Sequence, residues 1–178
     1  MTLSKRLQAV ADMVTPGYVV ADIGTDHGYI PIYLTKNKIA PKAYAMDINK
    51  GPIDRATENI HMEELQDKIK AIQSNGMEKL EPGMVQSVVI AGMGGELMID
   101  IIRNSPVIGT LKEMILSPHS DKDFVRKTMM KNNWKIIDET MVKDNDKYYT
   151  IMKVVPGREQ NKYSPEELIY GRCLIEKQ

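Results

Sequence analysis

Val19-Val20-Ala21-Asp22-Ile23-Gly24-Thr25-Asp26-His27-Gly28-Tyr29-Ile30-Pro31 is the stretch whose reading decides the fold. An apolar run ends in an acid, passes through a loop with two glycines, and enters an apolar segment of helical character. That order predicts a first β-strand, a tight turn and a helix N-terminus, the place where α/β proteins bind nucleotide-like ligands. The loop reads D-x-G-x-D-x-G rather than G-x-G-x-x-G, with Asp26 where a middle glycine would let the backbone approach a pyrophosphate. A carboxylate there repels phosphate at close range. S-adenosylmethionine (SAM) has no phosphate and carries a cationic sulfonium, so Asp22 and Asp26 favour it over NAD, FAD or ATP.

The second strand, expected over 42–48, supports the same conclusion. It ends in Asp47, about 20 residues beyond Gly28, the usual offset for a carboxylate that grips the two hydroxyls of a ribose. Gly51-Pro52 then opens a helix over 51–65, with proline at the permitted first turn. A third strand over 68–73 leads to Ser74-Asn75-Gly76, where Asn75 can donate and accept toward an adenine edge. Asn-Gly is equally a plain turn signal. The fourth strand, 85–91, runs into Gly92-Met93-Gly94-Gly95 and a helix through Ile102. Leu97 occupies the place of a third glycine and no Lys-Ser/Thr follows, so this is no phosphate loop. Its small residues instead leave the strand end open to a flat ligand.

The rest of the chain frames these loops. Leu3, Leu7, Val10 and Val14 mark a short amphipathic helix over 3–14 with Ser4 as its cap. The segment 18–23 is the first strand, and 28–37 the helix after it. A fifth strand over 113–116 precedes Ser117-Pro118-His119-Ser120 and a helix over 121–132, capped by Ser120 or Asp121. His119 on that loop faces the same crevice as a candidate substrate contact. On the helix, Lys122 and Arg126, and separately Lys127 and Lys131, stand four apart as a candidate basic stripe for phosphates. The runs 134–142 and 148–155 predict an antiparallel hairpin at the sheet edge. A short helix is expected from Ser164 to Gln178.

The expected fold is therefore α/β and Rossmann-like. It is a seven-stranded, mostly parallel sheet with an antiparallel edge hairpin and helices on both faces, the class I methyltransferase layout. The chain's 178 residues suit one domain of ordinary size, and no domain-joining linker is visible. Hydrophobic content of 42% with 27% charged residues is that of a soluble globular protein, and no apolar run is long enough to span a membrane. A formal net charge of zero argues against a strongly basic nucleic-acid coat while leaving room for a local patch. The single cysteine, Cys173, excludes an intramolecular disulfide, gives no metal-ligand spacing and fits a cytoplasmic location.

Ser4-Lys5-Arg6-Leu7, the string Ala21 to Pro31, Gly51-Pro52 and Ile90-Ala91-Gly92-Met93-Gly94-Gly95-Glu96 resemble the bacterial tRNA (adenine-22-N1)-methyltransferases over nearly the whole chain. The resemblance implies a SAM-dependent enzyme that methylates N1 of adenine 22 in tRNA, with Asp26 as the catalytic candidate. Asp47 stands where many members carry Glu, and Asn75 where many carry Asp. The resemblance divides the chain into a methyltransferase domain over 1–160 and, over 161–178, the start of a C-terminal helical segment thought to help hold the tRNA.

The candidate cofactor-binding set is Asp22, Gly24, His27, Gly28 and Tyr29 from the first loop, and Asp47, Ile48 and Pro52 after the second strand. Asn75 and Gly76 follow the third strand, and Ala91, Gly92, Met93 and Gly94 the fourth. Candidate substrate contacts are His119, Lys122, Arg126, Lys127 and Lys131. SAM and tRNA are the expected cofactor and partner, with no metal and no membrane; the oligomeric state stays open, leaning to a monomer. The alternatives are a methyltransferase acting on a small molecule or protein, and a SAM-binding domain inactive without its C-terminal part.

Overall fold

The computed structural model describes residues 2–177; the helix end expected at Gln178 lies outside them, as does Met1. Five parallel strands form the middle of the sheet: β1 (Val20–Ile23), β2 (Ala43–Asp47), β3 (Ile69–Gln73), β4 (Ser87–Ala91) and β5 (Glu113–Ser117). The hairpin of β6 (Trp134–Asp144) and β7 (Lys147–Pro156) joins antiparallel, giving the order β3-β2-β1-β4-β5-β7-β6. This is the predicted class of sheet. β1 and β5 are buried along their whole length, as expected where helices cover both faces of a parallel sheet. β6, at the edge, alternates buried and accessible positions and carries a bulge between Ile136 and Asp138.

The covering helices are α1 (Lys5–Asp12), α2 (Tyr29–Lys36), α3 (Lys50–Met62), α4 (Gly95–Arg103) and α5 (Lys122–Lys131). Ser4 caps α1 as expected, its hydroxyl accepting the Leu7 N–H at 3.3 Å. The start of α5 differs. Neither Ser120 nor Asp121 caps it through its side chain: Asp121 takes a left-handed backbone (φ +55°), and its carboxylate accepts the Ser120 hydroxyl at 2.6 Å.

Two further expectations are corrected on the hairpin side. The C-terminal region is not one helix but two short ones, α6 (Pro165–Tyr170) and α7 (Arg172–Glu176), broken at Gly171 with φ +91°. A Cβ on Gly171 would stand 2.6 Å from Glu139 Oε2 and 2.9 Å from Arg126 Nη2, so only glycine lets the backbone pass so close. Arg126 itself is 1% exposed, which removes it from the basic stripe proposed for phosphates. It lies on the inner face of α5 beside Val125 and Met129. Its Nε pairs with Glu139 at 2.8 Å, and its Nη1 donates to the carbonyls of Leu168 at 2.7 Å and Ile169 at 3.0 Å. One guanidinium thus ties α5, β6 and α6 together.

Removing one partner of a buried ion pair strands the other charge, at a cost of about 3–5 kcal/mol. Arg126→Ala is therefore expected to lower stability by about that amount in urea unfolding and to speed proteolysis within 165–176. The double variant Arg126→Met with Glu139→Leu should recover much of the loss. A single variant as stable as wild type would show the clamp to be idle.

Candidate functional site

The strand order runs outward in opposite directions from β1 and β4, which pair from Val20↔Ser87 to Ile23↔Ile90. Above such a reversal, the loops leaving neighbouring strands diverge and open a crevice at the carboxyl ends. The loop after β1, the end of β4 and the start of α1 meet there. A cavity of about 260 Å³ is lined by Asp22, Gly24, Asp26, Tyr29, Ile30 and Ala91, together with Arg6 and Leu7 of α1.

Local geometry explains the loop residues. Gly24 has φ +77°, a backbone that residues with a Cβ rarely adopt, and Met93 Cε packs against its open side. Gly28, with φ +70° at the start of α2, lets that helix pack against α3: a Cβ there would stand 3.2 Å from Ala56 Cβ. The His27 ring stacks on Tyr29 with centroids 5.0 Å apart and planes 8° from parallel. Asp47, half-buried at the end of β2, accepts the Asn49 N–H at 2.7 Å. Ile48 is 57% exposed beyond it, and Pro52 lies in the first turn of α3.

The two acids of the first loop stand in contrasting surroundings. Asp22 is 6% exposed, and burial pushes its carboxyl up from 3.8 to about 7. The neighbouring Thr25 hydroxyl and the Arg6 guanidinium oppose the rise, while Asp47 and Asp26 add to it. Asp26 is solvent-accessible at the cavity mouth, its Oδ1 3.4 Å from Arg55 Nη2 and 3.3 Å from His27 Nε2.

The other candidates divide. Ala91 lines the cavity, Met93 lies against Gly24, and Gly92 lies beside His119: a Cβ on Gly92 would be 3.7 Å from His119 Nε2 and 3.3 Å from Arg6 Nη1. Gly94 is the N-cap position of α4. Asn75 is exposed, its amide donating to Glu78 at 2.8 Å, and with Gly76 it lines a separate hollow against Leu97 and Ile101. Lys127 and Lys131 line another hollow with Tyr163 and Leu168, away from the crevice, and Lys122 is half-buried at the start of α5. Among the described residues no cluster of three or more His, Cys, Asp or Glu could hold a metal ion, and no helix is long and apolar enough to cross a membrane.

Sequence spacing missed Arg6 and Tyr149. Both reach the crevice from distant elements. The Arg6 backbone N–H donates to Asp144 Oδ2 at 3.0 Å, and its guanidinium lies 5.2 Å from the Tyr149 ring centroid. No local pattern announces a contact between residues 138 positions apart.

Comparison with known proteins fits this geometry. A family model described as a methyltransferase domain matches residues 3–152. The tRNA (adenine(22)-N(1))-methyltransferase of Bacillus subtilis is 34% identical over 175 residues, covering 98% of this chain and 74% of that protein. The crystal structure of the B. subtilis M1A22 tRNA methyltransferase TrmK superposes with a TM-score of 0.91 at 30% identity, over 99% of this chain and 77% of that one. M. capricolum TrmK, solved with the cofactor product S-adenosyl-homocysteine, superposes with a TM-score of 0.87 at 29% identity, over 96% and 76%. With an acid-lined crevice at the sheet reversal and relatives matched along almost its whole length, the chain belongs to the tRNA (adenine(22)-N(1))-methyltransferase family.

Proposed function

We propose that this chain transfers the methyl group of SAM to N1 of adenine 22 in tRNA. The observation that carries the reading is the buried Asp22 carboxyl lining a cavity at the sheet reversal, where phosphate-binding folds present backbone N–H groups instead. The residues present fit SAM: carboxyls at Asp22, Asp26 and Asp47 suit a cation and ribose hydroxyls, and the glycine floor admits a flat ligand. When bound, SAM supplies an electrophilic methyl group on a sulfonium.

The chain's own residues do the rest by placement. Asp22 holds the cationic end, Asp47 takes the ribose hydroxyls, and Tyr29 and Met93 pack against the ligand. Adenine N1 is a neutral nitrogen with a free lone pair, so no base need remove a proton before attack. Holding N1 in line with the methyl group can lower the barrier by about 7–11 kcal/mol. Because N1 lies on the Watson–Crick edge, a paired target must leave its stack at a cost of about a few kcal/mol. Asp26, accessible at the mouth, accepts the adenine N6 amine, which pushes electron density toward N1 and favours the cation formed there. Residues 161–177 are read as the start of a C-terminal helical segment that helps hold the tRNA.

Labelled SAM incubated with the chain and total tRNA should place label in tRNA, with reverse-transcription stops at adenine 22. Label in protein or small molecules, or SAM binding without transfer, would overturn the assignment. Asp26→Ala is expected to cut transfer about 100-fold while leaving SAM affinity nearly unchanged; undiminished turnover would take Asp26 out of the mechanism.

The Asp22 carboxyl sets a pH dependence. A cation favours the carboxylate, so SAM affinity should rise with pH by up to about tenfold per unit below about 7 and level off above it. Calorimetry at pH 6 in two buffers should find nearly one proton released per SAM bound, and Asp22→Asn should abolish that release. For the free protein the sign is reversed. The fold keeps a proton that the unfolded chain loses, so this group makes stability fall as pH rises from 3.8 to about 7.

A further inference from the structure

Beside the acid-lined cavity lies a second hollow of the opposite character. It has a volume of about 430 Å³ and is lined by Pro118, His119, Lys147, Tyr148 and Tyr149. That volume falls within the range of about 300–1,000 Å³ usual for small-ligand sites. The two cavities meet at Arg6, which lines the first and reaches the second: its guanidinium sits 5.2 Å from the Tyr149 centroid, and the His119 ring lies 6.1 Å from the same ring. None of the hollow's lining residues is acidic.

Three carboxylates stand nearby, and none of them lines the hollow. Asp144 accepts the Arg6 backbone N–H, Asp121 accepts the Ser120 hydroxyl, and Asp146 pairs with Lys143 at 3.1 Å. Lys147 and Lys122 have no ion-pair partner among the described residues. His119 lines the same hollow. Burial first, and then Arg6, Lys147 and Lys122, pull its imidazole below the usual histidine range. An anion entering the hollow would be met by Lys147, by the edge of Arg6 not covered by Tyr149, and by the His119 ring.

We propose that this hollow is the subsite for the RNA backbone phosphate next to the methylated adenosine. Lys147, Arg6 and His119 are its contacts, and Tyr149 is a positioning residue that holds the Arg6 guanidinium between the two cavities. The inference rests on the tRNA reading above. Acid on the methyl-donor side and cation on the RNA side set the direction in which a nucleotide crosses the crevice, its base toward Asp26 and its phosphate toward Lys147. Neither the strand-end loops nor the hairpin alone contains this arrangement; it exists because α1 is held against the tip of β6 and β7.

The test is transfer kinetics with tRNA at several salt concentrations. Lys147→Ala, a change at an exposed residue, should raise the KM for tRNA about tenfold, with kcat at saturating tRNA and the affinity for SAM both retained. The slope of log KM against log salt should fall by about one, the signature of one lost phosphate contact. Tyr149→Phe should behave as wild type, and Tyr149→Ala should mimic the loss of Arg6 in the KM for tRNA. Wild-type protein that transfers no label to tRNA would overturn the tRNA reading and this subsite with it. Wild-type transfer combined with an unchanged KM and salt slope in Lys147→Ala would overturn the subsite alone.

Discussion

A carboxyl placed in the middle of a fully covered parallel sheet is the constraint around which this molecule is arranged. β1 is flanked by β2 and β4, with helices over both faces, so Asp22 near its end has little water to solvate a charge. Burial opposes its charge, and the Thr25 hydroxyl and the Arg6 guanidinium offset part of that cost. The floor glycine, the Met93 side chain beneath it and the Arg6 guanidinium at its rim are all placed relative to that one group. The sheet reversal supplies the opening, and Asp22 places a buried carboxyl within it.

The other buried charge serves a different end. Arg126 and Glu139 are both almost wholly inaccessible, and Glu139 Oε2 has no hydrogen-bond partner among the described residues. Burial raises the Glu139 carboxyl, and the attraction of Arg126 opposes the rise. Such a pair contributes little net stability by itself. Its value is directional, because its remaining donors reach the carbonyls at the end of α6 and fix where the last helices lie. Arg172 extends the same device, pairing with Glu167 at 2.8 Å and stacking over Tyr163 at 3.9 Å.

The sheet was legible because its signals are local. Apolar runs at 88–91 and 114–116 mark buried parallel strands, and the acids near the ends of β1 and β2 stand at fixed offsets from the loop glycines. Gly92 and His119 were legible as strand-end residues for the same reason. Arg126 was misread because a cation four residues from Lys122 looks the same in sequence whether its face meets water or a buried glutamate thirteen positions away. Asn75 was legible as a turn; its amide turns to Glu78. Arg6 and Tyr149 could not be found from spacing, since what unites them is the docking of α1 on the hairpin.

That docking also governs the order in which the molecule can be completed. α1 precedes β1 in the chain and packs on α2, yet part of its anchorage comes from Asp144 and Tyr149, which follow every strand of the parallel core. During synthesis those two anchors emerge more than a hundred residues after the helix. Contacts between such distant positions form late, after shorter loops have closed. A growing chain can thus complete its five parallel strands before Arg6 is fixed at the rim of the cavity.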